Sequence, residues 1–276
     1  MTTAVPQSKA QPAQSQPATA AELPFPWPAG KKAAVSLSFD DARLSQIETG
    51  MALFARYQVQ ATWYVSLPNV EQRLSGWQEA VVEGHEIGNH TLHHPCTGNF
   101  PWSRANALED YTLERMRLEL VEANRRLADL LGVTCRTFAY PCGQTFVGRG
   151  RHAASYIPLV AELFTAGRGW LAECANEPYF CDLAHLMGTS SDGLEFEQLQ
   201  PLLATAQEKG QWLVLAGHEI GAPGRQTTWV STLERLLQYA QAPENGLWLA
   251  SVITVADYVL KQREAKKSSA FGVGSR

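Results

Sequence analysis

The alternation of short apolar runs with helical patterns constrains the fold of this chain more than any other feature. It begins after Lys31, where residues 33–39 and 60–66 predict strands and residues 47–57 between them predict a helix. Further strands are predicted at residues 81–89, 135–140, 159–166, 211–217 and 247–252, and further helices at residues 110–131, 196–209 and 229–241. Strands that alternate with helices build parallel sheets. The sequence therefore predicts an α/β protein, either doubly wound or closed as a barrel.

The position of the polar residues favours the barrel. Polar residues or a tight turn stand at or just after the C-terminal ends of several predicted strands: Asp40 and Asp41, His90 and His94, the turn Pro141–Gly143, Arg168, and His218. A barrel collects such residues around one mouth, whereas an open sheet concentrates them at its switch point. We therefore expect these side chains to meet at one end of a barrel.

Composition limits the setting in which the chain works. Residues 1–30 are rich in Ala, Pro and Gln and predict a disordered tail, and residues 263–276 predict a flexible C-terminal tail. No apolar run is long enough for a signal peptide or a membrane span, which predicts a cytoplasmic protein without membrane contact. The net charge of -4 gives no basis for binding nucleic acid.

The cysteines predict neither a complete disulfide framework nor a cysteine metal site. Their number is odd and no two form a CxxC pair. A reduced compartment is the simpler interpretation. The residues concerned are Cys96, Cys135, Cys142, Cys174 and Cys181.

Four of the seven histidines lie within residues 84–95. His90 and His94 are four residues apart, so on a helical turn they would project to the same side, with His93 pointing elsewhere. Two imidazoles and a carboxylate suit a divalent metal such as Zn²⁺ and leave a coordination position open for water. The alternative is a solvated histidine cluster.

Two further positions add acid and base groups. Asp40 and Asp41 end a predicted strand, where the turning backbone can bring both to one site; alternatively Asp41 only caps the next helix. His218 follows an apolar strand, where a lone histidine is more often structural. Histidine nevertheless has the pKa that suits proton donation near neutrality, and the site otherwise lacks a general acid.

Four motifs together resemble those of the NodB-like polysaccharide deacetylases, carbohydrate esterase family 4. They are Ser-Phe-Asp-Asp at 38–41, His-Thr-Leu-His-His at 90–94, Pro-Cys-Gly at 141–143 and Leu-Ala-Gly-His at 215–218, and the resemblance extends over residues 32–260. It implies a distorted (β/α) barrel of about seven parallel strands. It also implies metal-dependent removal of acetyl groups from N-acetylated or O-acetylated sugars, with residues 31–262 as the catalytic domain.

The resemblance also implies roles for individual residues. Asp40 becomes the general base, His218 the general acid, and the metal ligands are Asp41, His90 and His94. The metal is expected to be Zn²⁺, with Co²⁺, Ni²⁺ or Mn²⁺ as alternatives. In the turn that contains Pro141, the backbone N–H of Cys142 is placed to stabilise the oxyanion of the reaction.

The sequence departs from the family pattern at several positions. Ala139 stands where an arginine usually orients the base, and Arg168 is predicted to replace it; the alternative is a surface arginine. Ala216 stands where a leucine often shapes the acetyl pocket. The fourth motif is not recognisable, so Asp182 or Asp192 could support His218, and Trp170 could line the sugar site or only pack.

Three functions remain open on the sequence alone. The first is deacetylation of an acetylated carbohydrate. The second is hydrolysis of a non-sugar amide or cyclic imide, because the departures remove features tied to sugars. The third is a non-catalytic carbohydrate-binding barrel, which the presence of both a base and an acid beside an open metal position argues against.

Overall fold

The computed structural model describes residues 24–271. Its strands are β1 Ala33–Asp40, β2 Thr62–Val65, β3 Glu86–Asn89, β4 Thr137–Ala139, β5 Phe146–Val147, β6 Ala154–Ser155, β7 Ala166–Arg168, β8 Gly188–Ser190, β9 Trp212–Gly217, β10 Glu219–Gly221, β11 Thr227–Trp229 and β12 Leu247–Leu249. Its α-helices are α1 Met51–Tyr57, α2 Leu67–Gln72, α3 Leu74–Val82, α4 Leu113–Leu131, α5 Ile157–Leu163, α6 Phe196–Lys209, α7 Val230–Gln241 and α8 Val252–Phe271. A π-helical turn, Gln46–Gly50, leads into α1, and short 3₁₀ turns lie in the loops.

Seven parallel strands form a nearly closed barrel, as the sequence predicts. They follow the order β7-β4-β3-β2-β1-β9-β8. A parallel bridge between Arg168 of β7 and Leu186, just before β8, joins the two ends of this order. Strand β12 pairs with the first residues of β1, and two small sheets, β5–β6 and β10–β11, lie outside the barrel.

The core forms between the strands and the helices around them. Every residue of β1 and β9 is buried. Strand β9 accordingly is a continuous apolar run, whereas β1 alternates Val35, Leu37 and Phe39 with Ser36 and Ser38, which are buried as well. Helix α4 is amphipathic: Thr112 caps its start by accepting a hydrogen bond from Arg115 N at 3.1 Å, and Gly132 ends it at a φ of 68°. Its buried residues, spaced by three and four, pack on the sheet.

Two predicted strands were partly wrong. Residues 159–166 fold as the second half of α5 followed by the start of β7, and residues 81–89 begin inside α3 and reach β3 only at Glu86. In both places a short apolar run suits a buried helix as well as a buried strand. Packing in the folded protein, rather than local pattern, selects between them.

The predicted tails also need correction. Residues 1–23 lie outside the described residues, but Phe25 and Trp27 are buried and pack against Tyr258 of α8. At the other end α8 continues past residue 262, and Arg263 donates from Nε to the carbonyl oxygen of Pro178 at 2.7 Å. Within residues 24–271, no helix is long and apolar enough to cross a bilayer.

The cysteine prediction was wrong for one pair. Cys96 and Cys142 form a disulfide across 46 residues of sequence. An odd cysteine count cannot reveal a single pair, because pairing depends on which chain segments the fold brings together. Disulfides are typical of oxidising compartments, so the cysteines give no support for a reduced one.

Candidate active site and metal centre

The two aspartates at the end of β1 point to different partners. Asp40 is the last residue of the strand, and Asp41 has a φ of 75°, in the left-handed region that few non-glycine residues adopt. The backbone therefore turns sharply between them. As a result the carboxylate of Asp40 contacts Arg168, whereas that of Asp41 faces His90 and His94.

The structure brings the three predicted metal ligands together. Asp41 Oδ1 lies 3.6 Å from His90 Nε2 and 3.5 Å from His94 Nε2. The ligand atoms of the three side chains all lie within 4.8 Å of one another. The expectation that a helical turn aligns the histidines was wrong: residues 90–98 form no helix, and Thr91 and His94 have φ values of 66° and 50°. An irregular loop produces the same convergence.

Hydrogen bonds fix the orientation of this loop. His90 Nδ1 lies 2.8 Å from the carbonyl oxygen of Ala139, so this nitrogen carries the proton and Nε2 keeps its lone pair toward Asp41. Thr91 N donates to Asn89 Oδ1 at 2.7 Å, and His94 N donates to Thr91 Oγ1 at 2.9 Å. Ala139 thus contributes through its backbone, although it lacks the side chain that the family usually has there.

Glu119 of α4 anchors the same loop from behind. Its buried carboxylate accepts hydrogen bonds from the backbone N–H of Leu92 at 3.2 Å and of His93 at 3.0 Å. Its other oxygen lies 2.8 Å from His93 Nδ1 and accepts from Tyr111 Oη at 2.9 Å. His93 is therefore turned away from Asp41. The sequence gives no signal for Glu119, which sits inside an ordinary amphipathic helix pattern.

The chemistry of the donor set fits a divalent cation. Burial raises the pKa of Asp41, but the neighbouring His90, His94 and Arg43 together have the larger effect and lower the pKa to about 2. The group is therefore a carboxylate at neutral pH. Burial and the nearby His90 lower the pKa of His94 to about 4, so its imidazole is neutral. One anionic oxygen and two imidazole nitrogens are a donor set that Zn²⁺ accepts.

Arg168 contacts Asp40, as the sequence predicts. Its Nη2 donates to Asp40 Oδ1, its Nη1 donates to the carbonyl oxygen of Gly169 at 2.9 Å, and its side chain is fully buried over the ring of Tyr64. In the parallel pairing of β4 and β7, Arg168 is the register partner of Ala139. The guanidinium therefore reaches the base from the strand next to the one where the family arginine usually stands.

His218 is paired with Asp192. His218 Nδ1 lies 2.7 Å from Asp192 Oδ2, while Asp192 Oδ1 accepts from Thr228 Oγ1 at 2.9 Å. Burial lowers the pKa of His218, but the hydrogen bond to Asp192 and the charge of Asp40 outweigh it, so the pKa is raised above its ordinary value. Asp182, the other sequence candidate, instead accepts from Ala184 N at 2.9 Å.

The turn Pro141–Gly143 brings Cys142 and Trp170 to the site. Cys142 has a φ of 54° and is bonded to Cys96, two residues after the metal-ligand candidate His94. A Cβ at Gly143 would come within 2.8 Å of Trp170 Cβ, so only glycine allows this close approach. Cys142 and Trp170 line a cavity together with Asp40 and Asp41, but Pro141, also predicted to bind substrate, is buried and does not.

All the remaining predicted site residues share one cavity of about 590 Å³, except Arg168, which lies buried beneath it. Trp170 packs edge-on against His218, with ring centroids 5.0 Å apart. Residues that the sequence did not single out complete the lining: Arg43, Phe100, Trp102, Leu171, Arg225 and Gln226.

Part of the chain matches a known protein family. A model of the polysaccharide deacetylase family matches residues 28–155, which include Asp40, Asp41 and the histidine loop but end before Arg168 and His218. A stretch of 132 residues is 30% identical to a gellan lyase from Bacillus sp. That stretch is 47% of this chain and only 5% of the gellan lyase, so the chain spans a small part of that relative.

Solved structures share the fold. A proposed polysaccharide deacetylase from Mycobacterium smegmatis is 16% identical with a TM-score of 0.62, covering 87% of this chain and 94% of that one. A proposed polysaccharide deacetylase from Pseudomonas aeruginosa PAO1 is 17% identical with a TM-score of 0.60, covering 84% and 92%. The Xyl-CE4 domain of a multidomain xylanase from the hindgut metagenome of Trinervitermes trinervoides is 18% identical with a TM-score of 0.52, covering 82% and 90%.

Proposed function

We propose that this protein removes acetyl groups from an N-acetylated carbohydrate, with O-acetylated sugars as a related substrate. The match of residues 28–155 to the polysaccharide deacetylase family, whose members are hydrolases that act on amide bonds of carbohydrates, supports this proposal. One observation carries the proposal. Asp40 held by Arg168, and His218 held by Asp192, line the same cavity as the cluster of Asp41, His90 and His94. A base, an acid and a metal-ligand set in one cavity are the parts that amide hydrolysis requires.

Asp41, His90 and His94 would hold one divalent cation, for which Zn²⁺ is the first candidate. When bound, this cation supplies Lewis acidity toward the acetyl carbonyl and toward water. Two contacts prepare the ligand atoms for the cation. The carbonyl oxygen of Ala139 binds His90 at Nδ1, which leaves Nε2 to face the metal position, and Glu119 holds the backbone of the loop that carries both histidines.

Asp40 accepts the proton of the attacking water. Arg168 holds its carboxylate in a fixed orientation through a charge-assisted hydrogen bond from a fully buried side chain. The backbone N–H of Cys142 donates to the oxygen that becomes negative during attack, a contact typically worth ~3 kcal/mol of barrier.

His218 donates a proton to the leaving amine. Asp192 accepts from Nδ1 of its ring, which leaves Nε2 to face the substrate, and the raised pKa keeps the imidazolium populated to higher pH than in an ordinary histidine. Protonation of the amine then completes its departure, leaving acetate as the second product.

Hydrolysis of a non-sugar amide or cyclic imide is the second candidate. The observation in its favour is Ala216, fully buried in β9 where a leucine often shapes the acetyl pocket. The absence of the family arginine at Ala139 no longer favours it, because Arg168 contacts Asp40 from the neighbouring strand.

Acetate release from a panel of substrates tests the proposal. The panel contains acetylated chitooligosaccharides, peptidoglycan fragments, acetyl-xylan and a cyclic imide. We expect acetate from at least one glycan, loss of activity after chelation, and recovery with Zn²⁺. The Asp40→Asn variant is the control, because it retains the ligand set but has no base. Imide opening without acetate would favour the second candidate, and glycan binding without turnover would favour a non-catalytic barrel.

A further inference from the structure

The disulfide between Cys96 and Cys142 joins two parts of the candidate site that the proposed chemistry uses separately. Cys96 lies two residues after His94, in the loop that carries both histidine ligand candidates. Cys142 lies in the turn after β4, and its backbone N–H is the proposed donor to the oxyanion. The bond holds the two Cα atoms 6.3 Å apart, so it couples the position of the donor to that of the loop.

The disulfide also contacts the ring of His94. Nε2 of this ring faces Asp41 at 3.5 Å, and its other nitrogen, Nδ1, lies 3.8 Å from Cys96 Sγ. With Nε2 left free for the cation, Nδ1 carries the proton and donates to the sulfur. The sulfur therefore orients His94, as the carbonyl oxygen of Ala139 orients His90.

The backbone of Cys142 needs a restraint. Its φ of 54° lies in the left-handed region, where a non-glycine residue stays only when its surroundings impose that conformation. The hydrogen bonds of the turn run from Gly143 N to Tyr140 O at 2.8 Å and from Gln144 N to Pro141 O at 3.1 Å, and neither includes Cys142. Breaking the disulfide therefore frees this residue to relax.

Other contacts keep the loop folded without the disulfide. Ser103 Oγ accepts from Cys96 N at 3.0 Å and donates to Cys96 O at 2.8 Å. Thr97 N donates to Gln144 Oε1 at 2.7 Å, which links the loop to the turn a second time. Loss of the bond thus loosens the site locally.

Of the two bonded cysteines, Cys142 is the one that solvent can reach. Cys96 is completely buried, whereas Cys142 is partly exposed and lines the cavity that contains Asp40 and His218. A small thiol in this cavity can attack Sγ of Cys142, which breaks the S–S bond and leaves Cys96 as a thiol. A second thiol then attacks the mixed disulfide and departs as the small-molecule disulfide, leaving Cys142 as a thiol. The two small thiols supply both electrons and both protons.

We propose that Cys96 is a positioning residue and that its bond to Cys142 is a redox switch for the site. The oxidised protein has an ordered oxyanion donor and an oriented His94, and reduction by a small thiol removes both. The inference rests on the proposed function, since it concerns the regulation of the same site. Reduction should lower kcat through the oxyanion donor and metal affinity through His94.

Activity before and after reduction tests the switch. Protein treated with dithiothreitol is freed of reductant by gel filtration without oxygen, saturated with Zn²⁺ and compared with the oxidised protein. We expect reduction to lower kcat for acetate release about tenfold or more, with a smaller change in KM, and reoxidation to restore it. Cys174→Ala, which lacks an exposed free thiol, is the matched control and should respond as the wild type does.

The variant with both Cys96→Ala and Cys142→Ala cannot form the bond. It should have the kcat of the reduced wild type and should not respond to dithiothreitol, and circular dichroism checks that both proteins are folded. Equal kcat in the oxidised and reduced wild type would overturn the proposal, as would a further loss in the double variant on reduction. If the double variant does not fold, the comparison within the wild type still decides.

Metal binding separates this proposal from the proposed function, because it needs no substrate. We expect calorimetric titration of the metal-free proteins to show about tenfold weaker Zn²⁺ binding in the reduced wild type and in the double variant. If the oxidised protein releases no acetate from any glycan, the proposed function fails, and weaker binding without the bond would still support the switch. Equal or tighter binding in the double variant, which has no thiol at this place to hold zinc, would overturn it.

Discussion

At the scale of single residues, Asp40 receives its arginine partner from β7 rather than from the neighbouring strand β4. Arg168 on β7 stands opposite Ala139 on β4 and reaches Asp40, from which it is separated by 128 residues of sequence. The guanidinium is planar and presents several donors in a rigid fork, so it can fix a carboxylate in one orientation. Its Nη1 also donates to the carbonyl oxygen of Gly169, which fixes the orientation of the guanidinium.

Replacing Arg168 with lysine should therefore preserve the charge and lose the orientation. We expect Arg168→Lys to lower kcat/KM by about tenfold or more, equivalent to ~1.4 kcal/mol of barrier, with metal content unchanged. Steady-state kinetics and elemental analysis measure the two. Arg117→Lys, on an exposed ion pair with Glu162, is the control and should have wild-type activity. Full activity in Arg168→Lys would mean that orientation by the fork is unnecessary.

Asp192 should set the pH range in which His218 can act. The raised pKa of His218 keeps the proposed general acid protonated to higher pH than an ordinary histidine, and activity should be lost as the pH rises through that pKa. Asp192→Asn removes the carboxylate that raises it, so the alkaline limb of the kcat/KM profile should move to lower pH. An alkaline limb at the same pH in both proteins would assign that ionisation to another group.

At the scale of elements, α4 and the loop after β3 behave as one unit. Glu119 on the helix accepts two backbone N–H groups of the loop and contacts His93, while His90 and His94 on the same loop face Asp41. Groups that hold metal ligands in position commonly have a large effect on metal affinity, although they do not touch the metal themselves.

Replacing Glu119 should weaken metal binding without touching a ligand. We expect Glu119→Gln to reduce the affinity for Zn²⁺ by about 10- to 100-fold, because an amide is a weaker acceptor and one of its groups donates instead. Calorimetric titration of the metal-free protein measures this. Glu122→Gln, on the exposed face of the same helix, should bind Zn²⁺ as the wild type does. Equal affinities for all three proteins would show that the loop needs no such anchor.

The disulfide connects two further elements, the loop after β3 and the turn after β4. Closing a loop of this length restricts the unfolded chain, and natural disulfides of this kind contribute about 2–4 kcal/mol. Cys96→Ala combined with Cys142→Ala should lower the free energy of unfolding by that amount in urea denaturation. Cys174→Ala removes an exposed free thiol and should leave it unchanged. A double variant as stable as the wild type would assign the disulfide no stabilising role.

At the scale of the whole molecule, the barrel makes the site by bringing strand ends together. Asp40 ends β1, His90 follows β3, Arg168 ends β7 and His218 follows β9. Parallel strands in a closed order present their C-terminal ends at one mouth, so residues far apart in sequence meet there without long connecting loops. The bridge between Arg168 and Leu186 brings the two ends of the strand order together at the residue that contacts Asp40.

The sequence by itself determined the alternation of strands and helices, the barrel and the residues that gather at its mouth. These follow from local apolar patterns and from polar residues placed where strands end, which are properties that neighbouring residues carry. It also predicted that Arg168 takes the place of the arginine that the family usually has at the position of Ala139. The reason is that the carboxylate of Asp40 requires a cation to orient it, and few candidates stand at strand ends.

Only the tertiary structure decided the rest. The choice of Asp192 over Asp182, the pairing of Cys96 with Cys142, the anchoring of the loop by Glu119 and the irregular loop that aligns His90 with His94 all join segments distant in sequence or need unusual backbone angles. Such contacts depend on how the strands are ordered around the barrel and on packing that fixes positive φ values. A linear pattern contains neither, because its signals extend over a few neighbouring residues at a time.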